Sequence, residues 1–266
     1  MVKTRLAQMT WKEAEEAYKA NPVILIPSAS IEQHGPATPV GDFRISEWVG
    51  DQIAEQTGAI VAPMLPYGYS EVFRRFPGTV TLQGETVKNV MYDVVVSFLE
   101  HGLDHLVFLC GHNGNMPILD QVARQVRHEY GIRMGCIEPF RLFSAATMAE
   151  AYGKPNVAIG HGSDPIMSFN MFLFPDDCRL DMTETEHLNS YDGMTVRGSS
   201  AVALGDVTGH IYFDTLDIAP NGVMGDVSNF NAEAGGKLLA HVVDKGVEFV
   251  NIFKGHDTRI QSRDRS

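Results

Sequence analysis

Cysteine is scarce in this sequence, and its three cysteines, Cys110, Cys136 and Cys178, are widely separated. An odd number without a C-x-x-C pair argues against a disulfide scaffold and favours a reducing compartment. We also expect no secretory signal, because Lys3 and Arg5 are followed by an acidic, helix-like stretch and not by an apolar run. We therefore expect a cytoplasmic protein.

Long apolar runs and an excess of positive charge are absent as well. No stretch approaches the roughly 20 consecutive apolar residues that a membrane-spanning helix needs. The 21 basic residues are outnumbered by 33 acidic ones, which gives a formal net charge of −12 at pH 7. Nucleic acids and anionic membranes bind surfaces of positive potential, so we expect neither as the main partner.

The chain does contain enough apolar side chain to form one large core. Of its 266 residues, 44% are hydrophobic, and no repeat or linker-like stretch interrupts them. We expect a single domain over residues 1–266. Its polar C-terminal tail, from about 255 to 266, is expected to be flexible.

Short apolar runs alternate with longer amphipathic stretches through the first half of the chain. Thr10 and Glu13 form a capping-box pattern at the start of the first helix, Asn115 is placed to cap another, and Gly131 to end it. A hairpin is predicted within 207–218. The predicted strands are "PVILIPSAS", "GAIVAPML", "HLVFLC" and "IRMGCI", and the predicted helices cover about 11–20, 43–56, 84–102, 116–130 and 230–252.

The predicted strands are apolar throughout and do not alternate between apolar and polar residues. This pattern is typical of parallel strands that are covered by helices on both faces of a sheet. We therefore predict an α/β protein with three layers, α/β/α, and a mostly parallel central sheet.

Two loops at the ends of predicted strands carry side chains that bind metals. Glu32 and His34 follow the first strand at i, i+2 spacing, which places both on one side of an extended chain, and His112 lies in "CGHNGN" after the third. Imidazole and carboxylate without thiolate suit Zn²⁺, Mn²⁺, Fe²⁺ or Co²⁺, often in pairs. Asp42 is placed to bridge such a pair. These residues alone leave a structural role open, with Asp42 as a helix cap and Glu32 or His34 as hydrogen-bonded loop residues.

Four motifs in order resemble the creatininase (creatinine amidohydrolase) superfamily: "SIEQHGP" with a downstream aspartate, "YGYSEVFRRFPGTVTL", "GHNGN" and "GVMGDVSNFNAEAGGKLL". The resemblance runs from about residue 20 to about residue 250. It implies a hydrolase with two divalent metal ions (Zn, Mn or Fe), often assembled as a homohexamer. By position, Glu32 and His112 would bind one ion, His34 the other, and Asp42 would bridge them.

Several positions depart from the pattern of this family. Ala37 and Phe73 stand where histidines are usual, and Gly114 stands where creatininase itself has a metal-binding glutamate. The segment before Asp42 is also shorter by one residue. These departures argue against creatinine as the substrate and leave a fifth protein ligand unidentified.

A further segment, "GHGSDPIMSFNMF", resembles a family motif whose histidine transfers protons. His161 takes that place. The glutamate of the motif corresponds to Ile166, but Asp164 lies two residues earlier and could supply a carboxylate. Asp164 could equally cap the helix that starts near Pro165. We expect His161, with Asp164, to be catalytic.

The resemblance implies addition of water to a carbonyl group of a small-molecule substrate. We expect hydrolysis of a C–N bond in a creatinine-like cyclic amide or a formamide, with His161 delivering a proton to the leaving group. One alternative is C–C ring opening of a keto-inositol of the 3-dehydro-scyllo-inosose type. An alternative of another class is a non-catalytic metabolite-binding or scaffold protein.

Overall fold

The structure, a computed structural model, describes residues 3–198 and 200–260. No helix in these ranges combines the length and the apolar character that a membrane crossing requires. The strands are β1 (Ile24–Ser28), β2 (Ile60–Val61), β3 (Leu106–Cys110), β4 (Gly135–Ile137), β5 (Ser190–Tyr191), β6 (Met194–Val196), β7 (Ala201–Leu204) and β8 (Val207–His210). The α-helices are α1 (Trp11–Tyr18), α2 (Phe43–Thr57), α3 (Gly84–Glu100), α4 (Met116–Tyr130), α5 (Ala145–Tyr152), α6 (Ile166–Leu173), α7 (Thr215–Ile218) and α8 (Ala232–Phe253).

The central sheet contains four parallel strands in the order β2-β1-β3-β4. Strands β1 and β3 are adjacent and pair over five positions, from Ile24 with Leu106 to Ser28 with Cys110. Both strands are buried along their whole length. Their carboxyl ends therefore meet at one edge of the sheet, where the two loops of the predicted site begin.

Helices cover both faces of this sheet. Leu25 and Leu109 point into a core shared with α2, α5, α6 and α8. Ile26 and Phe108 point the opposite way, into a second core shared with α3 and α4. Because successive strand residues face two apolar layers, each strand is apolar throughout. The predicted three-layer α/β/α fold with a parallel central sheet is confirmed.

Helices α6 and α8 cross closely at Gly235. A Cβ atom at this position would overlap with the backbone carbonyl of Ser168. We expect Gly235→Ala to lower the free energy of unfolding by about 1–3 kcal/mol, because the two backbones must move apart; urea denaturation measures this. The control is Gly236→Ala, whose Cβ would lie 2.6 Å from the half-exposed ring of Phe172, which can turn away. An equal loss of unfolding free energy in the two variants would contradict this interpretation.

A second sheet, antiparallel with the order β5-β6-β7-β8, was not predicted. The hairpin expected within 207–218 is wrong: β8 pairs with the preceding β7 around a turn that contains Gly205, which has φ +67°. The second half of the expected hairpin forms α7 instead. Asp214 and Asp217 supply a capping box that starts this short helix.

The tail from about 255, expected to be flexible, is described only to residue 260; residues 261–266 lie outside the described residues. Thr258 is 2% exposed, and its carbonyl oxygen accepts a hydrogen bond of 2.8 Å from the Arg133 backbone. The Ile260 backbone N–H donates to the Gly131 carbonyl at the same distance. Residues 258–260 are therefore held against the segment that precedes β4.

Candidate metal centre

The four predicted metal ligands lie together beyond the carboxyl ends of β1 and β3. Glu32 and His34 follow β1, His112 follows β3, and Asp42 lies directly before α2. All four are buried, with exposed fractions between 2% and 7%. Parallel strands end at one edge of the sheet, and this topology brings the two loops to one place.

Glu32, Asp42 and His112 form what we call the carboxylate-rich group. The Nδ1 atom of His112 lies 3.3 Å from Glu32 Oε2 and 3.4 Å from Asp42 Oδ2. The other ring nitrogen, Nε2, donates a hydrogen bond of 2.9 Å to the carbonyl oxygen of Tyr69. In a neutral ring, Nδ1 therefore presents a lone pair beside two carboxylates, which is a donor set for a cation.

Glu32, His34 and His161 form what we call the histidine-rich group. Glu32 Oε1 lies 3.6 Å from His34 Nε2 and 3.9 Å from His161 Nδ1. The two imidazole rings stack with centroids 4.5 Å apart. Among the described residues, the buried Nδ1 atom of His34 has no hydrogen-bond partner. The Nε2 atom of His34 faces Glu32 and is the donor that this ring offers to the group, so Nδ1 would carry the hydrogen of the neutral ring.

Glu32 belongs to both groups and turns one carboxylate oxygen toward each. The bridging role that the resemblance implied for Asp42 stays a prediction, since Asp42 belongs to the carboxylate-rich group alone. Asp42 Oδ1 accepts hydrogen bonds from Ser30, from its backbone N–H at 2.8 Å and its hydroxyl at 3.2 Å. The alternative role of Asp42 as a cap is wrong, because its side chain makes no capping hydrogen bond at α2.

Charge and burial oppose each other in the carboxylate-rich group. Burial raises the pKa of Asp42 to about 6. Burial would raise the pKa of Glu32 too, but the charge of His112 holds it far below its usual value. For His112, burial favours the neutral ring, yet Glu32 and Asp42 outweigh it and raise the pKa well above its ordinary value. The group is therefore arranged around a positive charge, which a proton or a metal ion can supply.

The two histidines of the other group are held neutral. Burial lowers the pKa of His34 to about 3, and burial lowers the pKa of His161 as well. Neutral imidazole is the form that binds metals. Both rings are therefore in the protonation state that a metal requires.

Ser70 and Asn115 support the site, and the sequence did not reveal either role. The Ser70 hydroxyl donates a hydrogen bond of 2.5 Å to Glu32 Oε2. The Asn115 side chain accepts from the Tyr69 backbone at 2.9 Å and donates to the Ala29 carbonyl at 3.0 Å. It makes no capping hydrogen bond at α4, so its predicted role was wrong. Only the "YGYSEVF" segment of the family resemblance pointed toward Ser70.

Asp164 is not brought to the metal-binding groups. Its side chain is fully buried, but it lies outside the cavity lining, and its Oδ1 accepts a hydrogen bond from Ser168. Helix α6 starts at Ile166 without a side-chain capping bond. The catalytic role expected for Asp164 stays a prediction. Burial raises the pKa of its carboxyl group, and hydrogen bonds from Ser168, in the first turn of α6, oppose that rise.

A cavity of roughly 640 Å³ opens onto both groups. Its size lies within the usual range for small-molecule sites. Lysine and arginine are absent from its described lining. Besides the five metal-group residues, the wall includes Tyr69, Val72, Phe73, Phe140 and Ile159.

Comparison with known proteins identifies the family. The family model described as creatinine amidohydrolase matches residues 7–250. The creatinine amidohydrolase of Pseudomonas putida is 29% identical over 195 residues, which is 66% of this chain and 74% of that protein. A mycofactocin precursor peptide peptidase of Mycobacterium ulcerans is 37% identical over 41% of this chain and 47% of its own length. The 3-dehydro-scyllo-inosose hydrolase of Thermotoga maritima is 34% identical over 41% of this chain and 36% of its own length.

Solved structures share the fold. A creatininase variant in a zinc–zinc form is 24% identical, with a TM-score of 0.79 over 96% of this chain and 99% of that one. A manganese creatininase is 23% identical, with a TM-score of 0.77 over 96% of this chain and 100% of that one. The motifs at the strand ends, the fold and the family match all agree. This chain therefore belongs to the creatininase family of metal-dependent hydrolases.

Proposed function

We propose that this protein uses two divalent metal ions to hydrolyse a C–N bond in a small polar cyclic amide or a formamide. The observation that carries the proposal is the pair of three-residue donor groups that share Glu32 beside one cavity. A non-catalytic binding or scaffold protein would not need two buried metal-binding groups next to a cavity. The geometry therefore favours an enzyme.

The donor atoms fit zinc, manganese or iron. They comprise imidazole nitrogens and carboxylate oxygens, which suit these ions, and no thiolate. Cys110 lies close to His112, but its thiol donates to the His112 carbonyl and burial raises its pKa, so it remains protonated. When bound, such a pair of cations makes water nucleophilic at neutral pH and stabilises the negative charge that develops on a carbonyl oxygen.

The residues of the chain orient the donors and surround the substrate. The Tyr69 carbonyl fixes the ring of His112, and the Ser70 hydroxyl fixes Glu32. Phe73 stacks on His161 with ring centroids 4.0 Å apart. The Gln33 carbonyl accepts a hydrogen bond from His161 Nε2. Nδ1 is therefore the ring nitrogen that can transfer a proton, as the resemblance implies, or bind a metal.

The two candidate reactions differ in the bond that is cleaved. The creatinine amidohydrolase and the mycofactocin peptidase, by name, act on amide-type C–N bonds, which supports the first candidate. C–C ring opening of a keto-inositol is the second, supported by the similarity to the inosose hydrolase. The departures at Ala37, Phe73 and Gly114 also separate this chain from creatininase. Both reactions add water to a carbonyl.

Metal analysis followed by a substrate screen tests the proposal. Purified protein is expected to contain two divalent ions per chain, and a chelator is expected to remove both the ions and the hydrolysis of cyclic amides or formamides. Addition of Zn²⁺ or Mn²⁺ should restore activity. Opening of a keto-inositol ring without release of amine or ammonia would overturn the C–N assignment and leave the metal centre intact. Full activity without metal would overturn both.

We also propose that the protein is a cytoplasmic homo-oligomer, a hexamer. The family resemblance supports the assembly, and the three free cysteines support a reducing compartment. Multi-angle light scattering of the purified protein tests the assembly, and a monomer mass of 29.3 kDa would contradict it.

A further inference from the structure

The histidine-rich group has too few donors if His161 is not one of them. The carboxylate-rich group has Glu32, Asp42 and His112, whereas only two of the four predicted ligands, Glu32 and His34, belong to the histidine-rich group. Zinc sites in proteins usually have at least three protein ligands. The distance of 3.9 Å between His161 Nδ1 and Glu32 Oε1 leaves room for an ion between them.

The hydrogen bonds of His161 leave one nitrogen free to bind that ion. Its Nε2 atom lies 2.6 Å from the carbonyl oxygen of Gln33, which can only accept a hydrogen bond. The side-chain nitrogen of Gln33 lies farther from the same ring atom, at 3.1 Å, and donates to the Gly222 carbonyl at 3.0 Å. The shorter carbonyl contact therefore assigns the hydrogen to His161 Nε2 and leaves Nδ1 of the neutral ring with a lone pair. His112 has the same arrangement, with Nε2 bound to the Tyr69 carbonyl and Nδ1 turned toward carboxylates. A carbonyl on one nitrogen and a metal on the other is the usual arrangement of a metal-binding histidine.

The ring of His161 is also fixed in place. It lies between the rings of Phe73 and His34. The ring centroids are 4.0 Å apart for Phe73 and 4.5 Å apart for His34, and the angles between the ring planes are 16° and 21°. A ring held on both faces, with Nε2 already bonded, is better suited to hold an ion than to move a proton between two partners.

The glycines of "GVMGD" explain how this position is held. The Met224 backbone N–H donates a hydrogen bond of 2.7 Å to the His161 carbonyl, and the Gln33 side chain donates one of 3.0 Å to the Gly222 carbonyl. A Cβ atom at Gly222 would overlap with the Gln33 side chain. Because Gly222 has no side chain, the segment from Gly222 to Met224 can pack directly against both Gln33 and His161.

We propose that His161 binds the second metal ion through Nδ1, together with Glu32 and His34. This inference rests on the proposed two-metal function and changes the role of His161 from proton carrier to ligand. It also supplies the fifth protein ligand.

Metal content tests the inference separately from activity. After loading with Zn²⁺ and dialysis, the wild type is expected to hold two ions per chain by elemental analysis, and His161→Phe is expected to hold one. Phenylalanine keeps the stacking with Phe73 and His34 but removes both nitrogens, so the fold should persist; thermal unfolding checks this. His128→Ala, at an exposed histidine of α4, is the control and should retain two ions.

The outcomes separate the two proposals. Two ions in both the wild type and His161→Phe would overturn the ligand role alone. Fewer than two ions in the wild type would overturn the two-metal function itself. As a second measurement, Co²⁺-loaded His161→Phe should show a changed visible absorption spectrum, and His128→Ala should not; an unchanged spectrum in His161→Phe would count against the ligand role.

Discussion

Replacing Glu32 by glutamine is expected to remove both metal ions and nearly all hydrolysis. Each oxygen of this carboxylate faces one donor group, so the neutral amide weakens both groups at once. Metal ions contribute several kcal/mol to transition-state stabilisation. A loss of about 4 kcal/mol corresponds to a fall in kcat/KM of roughly 1,000-fold. The expected metal content is close to zero ions per chain by elemental analysis.

Two other variants make this result interpretable. Glu71→Gln changes another carboxylate of the cavity wall, but Glu71 pairs with Arg74 at 2.6 Å and belongs to neither group, so both ions should remain. Asp42→Asn is expected to cost one ion, because Asp42 belongs to the carboxylate-rich group alone. If Asp42→Asn lost both ions and Glu32→Gln lost only one, Asp42 would be the bridge that the resemblance implied.

Replacing His112 by alanine is expected to reduce the metal content from two ions to one and to lower kcat/KM by roughly 1,000-fold, by the same conversion. His112 supplies the only nitrogen of the carboxylate-rich group. Its removal leaves two buried carboxylates without the positive charge around which they are arranged. Elemental analysis and steady-state kinetics with the substrate found in the screen measure the two effects.

Asn113→Ala is the matched control for this variant. Asn113 is the next residue of the same loop and lines the cavity, but it is exposed and belongs to neither group. It is expected to keep both ions. Retention of two ions and full activity in His112→Ala would refute the assignment of His112.

The central sheet could be predicted because both faces of its strands are buried, which favours apolar residues along the whole strand. Leu25 and Ile26 face opposite layers, so both must be apolar, and the resulting continuous run is visible in the sequence. The second sheet has no such continuous apolar run in its sequence. Strands β5 to β8 are two to four residues long and only partly buried, so their pairing depends on turns and on contacts between distant segments.

The metal-binding residues were recognisable because side-chain chemistry and spacing are properties of the sequence. Glu32 and His34 lie two residues apart in one loop, within a recognisable family motif. Ser70 and Phe73 lie in another segment of the family resemblance, but neither side chain indicates metal binding by its chemistry. They reach the site because Asn115, in the loop after β3, ties the backbone of Tyr69 beside the end of β1.

The sequence by itself determined the layered α/β fold, the side chains able to bind metal and the two strand-end loops that carry them. Only the tertiary structure decided that Glu32 lies between the two donor groups, that His161 turns Nδ1 toward one of them, and that Asp164 lies outside the cavity. The physical reason is that residue type and strand pattern are local, whereas the direction of a side chain depends on hydrogen bonds from distant segments, here from Tyr69, Ser70 and Gln33.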